Sequence, residues 1–372
     1  MVMKLPRPGL GCLLAVLAST AIVTGARQVP TSTTVATAAG PAPDAGAPLV
    51  IRSAHIVTMA RPGSFVGTVV VRDRRIAYVG PDAGAPQMAA AQVVDGRGRY
   101  LLPGLIDLHT HVSKTRASSL LQLVTHGVTT ARDMGGDHEE LLRWRREIDA
   151  GTRVGPRLRI AGPYLESAAN ATRQHATPVA EMVEPVERTR LAVGSPADAD
   201  RIVAAIAARG VDHLKIRTTT DRETYIAIGA AARRHGLSLT GHAQSYGDEA
   251  LAASGQVSIE HQLIPTLLER PHERAAHVRT LATRRIAVVP TLVVLERLGG
   301  PNDVQLAQAV EAAGTGPLRL AAFTRADWRE QLAEQGPERR TVYGKVQAAT
   351  RLDVRACGRL ACASWPARMP AY

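Results

Sequence analysis

The chain has 372 residues, 45% of them hydrophobic, which is enough for one barrel of about 250 residues with a smaller module beside it. A net charge of +12 would suit a polyanionic partner, but only four of the 45 basic residues are lysine and the arginines are scattered without a basic block. With aromatic residues at 3%, neither the basic patch nor the stacking platforms of nucleic-acid binding are present, and that partner is excluded.

In chain order, Lys4 and Arg7 precede an apolar run from Leu10 to Val23, followed by Thr24-Gly25-Ala26. This order predicts a secretory signal peptide over residues 1–26. The alternative, an uncleaved anchor, needs about 20 apolar residues, more than the run supplies. The expectation is an exported protein, periplasmic or secreted, with no stable membrane span after cleavage. Residues 27–48, rich in Thr, Ala, Pro and Gly, read as a flexible linker. Three cysteines, Cys12, Cys357 and Cys362, form no zinc motif; an oxidising compartment could pair the last two.

Short β-branched runs at 50–59, 68–71 and 75–80, divided by Pro and Gly, predict antiparallel strands of a small β module over 49–100. From Leu101, apolar strands alternate with amphipathic helices, the pattern of a parallel α/β barrel. Seven strands are predicted, at 104–109, 128–133, 157–162, 211–217, 237–242, 256–261 and 286–290, with helices at 138–150, 198–209, 222–235 and 303–313. Ser195-Pro196-Ala197-Asp198 has the form of a capped start for the second helix.

At the end of the first barrel strand stand His109 and His111. Residues i and i+2 of a strand share a face, so two imidazoles could reach one metal ion. His-x-His alone also fits two half-exposed strand histidines. His242 and His261 close the fifth and sixth predicted strands, where barrel enzymes place catalytic groups. Lys215 sits in an apolar strand where a charge is costly, although a strand lysine can also snorkel to the surface.

The stretch 103–112, PGLIDLHTHV, closely resembles the first metal-binding strand of the amidohydrolase superfamily, and His126-Gly127-Val128-Thr129-Thr130-Ala131-Arg132-Asp133-Met134-Gly135-Gly136 with Lys215 is most similar to its imidazolonepropionase-like and prolidase-like branch. The resemblance covers about residues 49–345. It implies a metal-dependent hydrolase on a (β/α)8 TIM-like barrel, residues 101–350, with a β-sandwich module completed by strands from the C-terminal side. It also implies that His109, His111, His242, His261 and a carboxylated Lys215 bind two divalent metal ions. Nitrogen-rich ligation favours zinc, and a buried lysine loses its proton readily enough to take up CO2 where arginine does not.

The implied reaction is hydrolysis of a C–N bond in a small amide, cyclic amide or dipeptide-like substrate by a hydroxide bridged between the ions. The resemblance also implies a strand-eight aspartate in a Gly-Thr-Asp-like phrase, and the chain contains none. Residues 351–372 therefore read as an aberrant or divergent tail on a barrel incomplete at strand eight, with Asp353 a poor substitute. The competing expectation is an impaired protein that binds metal or ligand without turnover. Tyr164 and His175 fall in the substrate loop after strand three, Tyr164 as a candidate grip on a substrate carboxylate. Arg132 and Asp133 read as a structural ion pair, and His213, on the same strand face as Lys215, reads as an ordinary strand residue in preference to a support for that lysine. His126, His138, His235, His272 and His277 read as solvated. A homo-oligomer remains compatible with the sequence.

Overall fold

The structure, a computed structural model, describes residues 47–115, 117–176, 189–261, 271–294 and 337–364. The expected signal peptide, most of the linker and the helix expected at 303–313 lie outside these residues. The chain forms two compact units, Met1–Leu102 and Pro103–Tyr372.

In the first unit, β1 (Leu49–Ile56), β2 (Phe65–Arg72), β3 (Arg75–Gly80), β4 (Gln92–Asp95) and β5 (Tyr100–Leu101) form one sheet in the order β3-β2-β1-β4, with β5 also on β1. The first three are antiparallel, as their alternation predicts, while β4 and β5 run parallel to β1. Asp73 and Arg74 close the β2–β3 hairpin with φ of 51° and 60°, the twist that suits a two-residue turn. Ala54, Ile56 and Val69 form this unit's core. A second sheet, as a sandwich requires, is not among the described strands.

The second unit alternates strands and helices. Its strands are β6 (Leu105–Thr110), β7 (Val128–Asp133), β8 (Arg157–Ile160), β9 (Tyr164–Glu166), β10 (Arg190–Ala192), β11 (His213–Ile216), β12 (Ser238–His242), β13 (Ser258–Glu260) and β14 (Ala287–Val289). Its helices are α1 (Val112–Thr115), α2 (Ser118–Thr125), α3 (His138–Asp149), α4 (Ala168–Ala176), α5 (Pro196–Ala207), α6 (Arg222–Arg234), α7 (Gly247–Ser254), α8 (Arg274–Arg284) and α9 (Pro337–Ser364). All strand pairs are parallel, in the orders β6-β7-β8 and β10-β9-β11-β12-β13-β14. The strand expected at 157–162 is broken: Gly162, with φ of 73°, bends the chain between β8 and β9. The Asp212 amide still bonds the Ile160 carbonyl at 2.8 Å while Lys215 pairs with Tyr164, so the two pieces fill one place beside β11. β9 and β10 were not legible because three residues are too few to show a period.

Every residue of β11 is buried, as a strand covered on both faces must be. The helices seal the outer face through Leu141, Trp144, Val203, Ile206, Tyr225 and Ile228, all essentially inaccessible, each worth about 1.5–3 kcal/mol of burial. Asp137 and Asp221 cap α3 and α6 by accepting backbone N–H groups. Ser195 precedes α5 as expected, but its hydroxyl donates to the Asp198 carboxylate at 2.9 Å rather than capping the backbone.

From Arg351 the chain continues α9 to Ser364 without the expected loss of regular structure. Ala356 and Cys357 pack on Val278 and Leu281 of α8, and Cys357 is a free thiol. Asp353 belongs to this helix and is bound by Arg274, not to a barrel strand; burial raises its pKa. No helix among the described residues is long and apolar enough to cross a membrane.

Helix α6 meets the end of α7 backbone to backbone: a Cβ on Gly229 would stand 1.8 Å from the Ser254 carbonyl oxygen. Gly229→Ala should cost on the order of 1–3 kcal/mol. Gly344→Ala in α9, where a Cβ meets nothing within 4 Å, should instead gain about 0.5–1 kcal/mol. Urea unfolding of the two variants checks the opposite signs.

Candidate metal centre

The strand ends bring the predicted imidazoles together. His109 lies near the end of β6 and His111 one residue beyond it, with ring centroids 5.2 Å apart. His242 ends β12, after Gly241 has brought that strand so close to β11 that a Cβ there would lie 2.0 Å from the Ile216 carbonyl oxygen. His261 follows β13 in the left-handed region, φ 71°, a conformation that histidine adopts more readily than most residues and that clusters at functional sites. Its ring lies 4.6 Å from that of His109 and 5.0 Å from that of His242.

Lys215, in mid-β11, is 1% exposed, and its Nζ has no hydrogen-bond partner. Burial pulls its pKa down to about 7, against the opposing pull of Glu260. Burial likewise lowers His109 and His261 to about 3 and holds His111 and His242 far below the usual imidazole range. These rings are therefore neutral at physiological pH and keep the lone pairs that a cation needs.

Three of the four rings are oriented from behind. Nδ1–H of His109 donates to Glu260 Oε2 at 2.8 Å, leaving Nε2 buried without a partner. Nδ1 of His111 lies 2.9 Å from the Gly135 carbonyl oxygen and 3.0 Å from the Tyr164 hydroxyl, and Nδ1 of His261 lies 2.7 Å from Thr291 Oγ1. Glu260, fully buried, also accepts from Arg132 at 2.8 Å and Ser258 at 2.7 Å. No ready-made cluster of three His, Cys, Asp or Glu ligands stands among the described residues. The donor set nonetheless fits a divalent cation: neutral imidazoles, an orphaned Nε2 and an orphaned amine, each costly to bury without a partner.

Several expectations are corrected. Arg132 pairs with Glu260 across the strand ends, not with Asp133, because Asp133 is taken up by the amides of Val112 at 2.7 Å and Gly135 at 3.0 Å. His138 and His277 are buried rather than solvated; His138 accepts from Arg209 at 2.8 Å and His277 pairs with Asp248. His126, His235 and His272 are exposed. His213 is buried on β11 with Nε2 unpartnered. The side chain of His175 lies outside the described residues. Glu260 was missed, although an acid in the apolar run Ser258-Ile259-Glu260 was a legible signal. Beside His242 and His261 opens a cavity of about 390 Å³, into which Arg217, Thr219 and Tyr246 also face.

Residues 100–319 match the amidohydrolase family. The chain belongs to that family. It is 43% identical over 100 residues to an adenine deaminase of Paracoccus denitrificans, covering 26% of this chain and 16% of that protein. With an imidazolonepropionase of Acidiphilium cryptum it shares 34% identity over 119 residues, 30% of each chain. These matches thus span a third or less of the curated relatives' length. A Bifidobacterium longum protein designated a prolidase has a similar fold, with a TM-score of 0.60 at 24% identity over 85% of this chain and 72% of its own. Family and likeness together make the fold TIM-barrel-like α/β.

Removing Arg132 would strand the Glu260 charge in the interior. Arg132→Gln should cost on the order of 3–5 kcal/mol, and adding Glu260→Gln should restore much of it; a double-mutant cycle by urea unfolding measures the coupling. In metal-free, CO2-free protein, folded Lys215 with a pKa of about 7 binds its proton less tightly than the unfolded chain at the usual 10.5. Stability should therefore rise with pH between those values, and Lys215→Met should flatten that slope in unfolding curves taken at several pH values across the window.

Proposed function

We propose that this chain is a metal-dependent amidohydrolase that cleaves a C–N bond in a small amide, cyclic amide or dipeptide-like substrate. The observation that carries this reading is the meeting of His109, His111, His242 and His261 as neutral imidazoles, each within the electrostatic reach of Lys215, whose buried amine has no partner. Relatives named adenine deaminase and imidazolonepropionase support the C–N class. We assign two divalent ions, zinc by the preference of nitrogen ligands, to those four histidines and Lys215. When bound, the ions would polarise the scissile carbonyl and activate water.

The chain's own residues prepare that site. Glu260, the Gly135 carbonyl and Thr291 hold the Nδ1 sides of three rings, so that their Nε2 lone pairs stay available and correctly aimed. Tyr164 adds its hydroxyl at His111, which makes it a positioning residue for the ring. With a pKa of about 7, Lys215 holds a substantial neutral fraction at physiological pH. Its Nζ can then bond the carbon of CO2 and lose a proton to water, giving a carbamate with two oxygen donors. The β module is proposed as one layer of a sandwich, and export rests on the basic-then-apolar N-terminus.

A second reading, metal binding without turnover, is favoured by the place of Asp353 on α9, bound by Arg274. General acid–base help is worth about 10²- to 10⁴-fold, so a site without a carboxylate in that role would be slow. Elemental analysis and a panel of dipeptides and cyclic amides decide between them. The hydrolase reading expects two ions per chain with turnover, and Lys215→Ala should lose one ion and the activity. Bound metal without turnover would carry the second reading, and a full-length chain that takes up no metal would overturn both.

A further inference from the structure

The fourth ring of the cluster, that of His242, is aimed through its backbone. Gly241, immediately before it, has φ of 134°, a conformation that glycine reaches easily and other residues rarely adopt. Glycine permits that bend without imposing it, because the same freedom opens many other conformations. Peptide planes are rigid, so the direction in which the His242 side chain leaves the main chain follows from the two planes that flank its Cα. Something else in the fold must fix those planes.

That anchor is Gln256, two residues before β13 and 2% exposed. Its Nε2 donates to the Gly241 carbonyl at 3.0 Å and to the Ser258 carbonyl at 2.8 Å, with the His242 carbonyl 3.4 Å away. Three carbonyl oxygens surround this end of the amide, a place that only its NH2 can occupy. At the opposite end, Oε1 accepts from the Tyr225 hydroxyl of α6 at 2.7 Å. Burial pushes the Tyr225 pKa up to about 12, so the hydroxyl keeps its proton and remains a donor. The main chain around Gln256 is held as well: its own amide donates to Ser254 Oγ at 3.2 Å, and the Val257 amide donates to the Leu239 carbonyl at 2.9 Å. The His242 carbonyl also accepts from Gln244 Nε2 at 3.0 Å. Both carbonyls that flank the Cα of His242 are thus held by side-chain amides. Methionine would fill the Gln256 volume without a polar group to desolvate; what the amide adds is direction.

We infer that Gln256 is the positioning residue for His242: its amide holds the Gly241–His242 peptide in the orientation that turns the imidazole toward His261, whose ring lies 5.0 Å away. This role rests on the metal-centre reading and extends it to a residue outside the cluster.

The test uses the full chain and zinc alone, with affinity read by competition against a chromophoric chelator. Gln256→Met should weaken zinc binding by roughly 10- to 100-fold, the range for groups that orient metal ligands from behind. Tyr225→Phe is the control: it removes a buried hydrogen bond at the other end of the same amide but leaves the Gly241 carbonyl bound, so zinc affinity should change far less. A merely structural role would destabilise both variants and shift zinc affinity in neither, or in both alike, and either result would overturn the inference. Spectra of the metal-free protein labelled with 15N-histidine give a second readout. Gln256→Met should shift the ring signals of His242 while leaving those of His109, held by Glu260, in place; unaltered His242 signals would overturn the inference. Should Gln256→Met not fold, the wild type decides: zinc should shift the Nε2 protons of Gln256 at the same concentration that shifts the His242 ring, and Gln256 signals that ignore zinc would overturn it. If the wild type binds no zinc, the metal-centre reading fails by itself, and the His242 ring signals of Gln256→Met still decide the positioning.

Discussion

One buried carboxylate organises the strand ends. Glu260 accepts from His109 of β6, Arg132 of β7 and Ser258 of its own strand β13, and so joins strands far apart in sequence across the inside of the fold. A fully buried carboxylate is tolerable only with this many donors. Satisfying it fixes the His109 ring, places a guanidinium against β13 and sets where His261 leaves the strand.

The same desolvation that makes Glu260 demanding makes its neighbours useful. Removing water penalises every positive charge in the cluster, so the imidazoles stay neutral and the lysine holds its proton weakly. Four rings and an amine packed this closely would repel one another if protonated. Neutrality is therefore a condition of the packing as well as a preparation for a cation. The outer helices contribute indirectly: they cover β11 on its far side and keep Lys215 dry.

Positive charge is handled differently a few residues away. On Tyr164, Arg190 and Arg217, the fold keeps charged guanidiniums in place with a single acid and an aromatic face rather than neutralising them, because arginine does not give up its proton. Lysine and arginine, two positions apart on and beyond β11, thus play opposite electrostatic parts.

Much of this was legible in the residues. The βα alternation located three helices, α3, α5 and α6, and seven strand positions, and strand ends at His109, His242 and His261 marked where chemistry could sit, because local periodicity depends only on neighbours in the chain. Ion pairing was not legible: Arg132 chose Glu260, 128 residues away, over the adjacent Asp133, and His138 and His277, polar residues on helices, turned out to be buried. The kink at Gly162 and the short strands β9 and β10 also escaped, since three residues carry no period. What the amino-acid order determined by itself was the family, the βα rhythm and the strand-end histidines and lysine that meet in the interior. Which nitrogen each ring presents, which charges are compensated and which are left over was decided only by folding, because desolvation and long-range contacts exist only once the strands and helices have packed together.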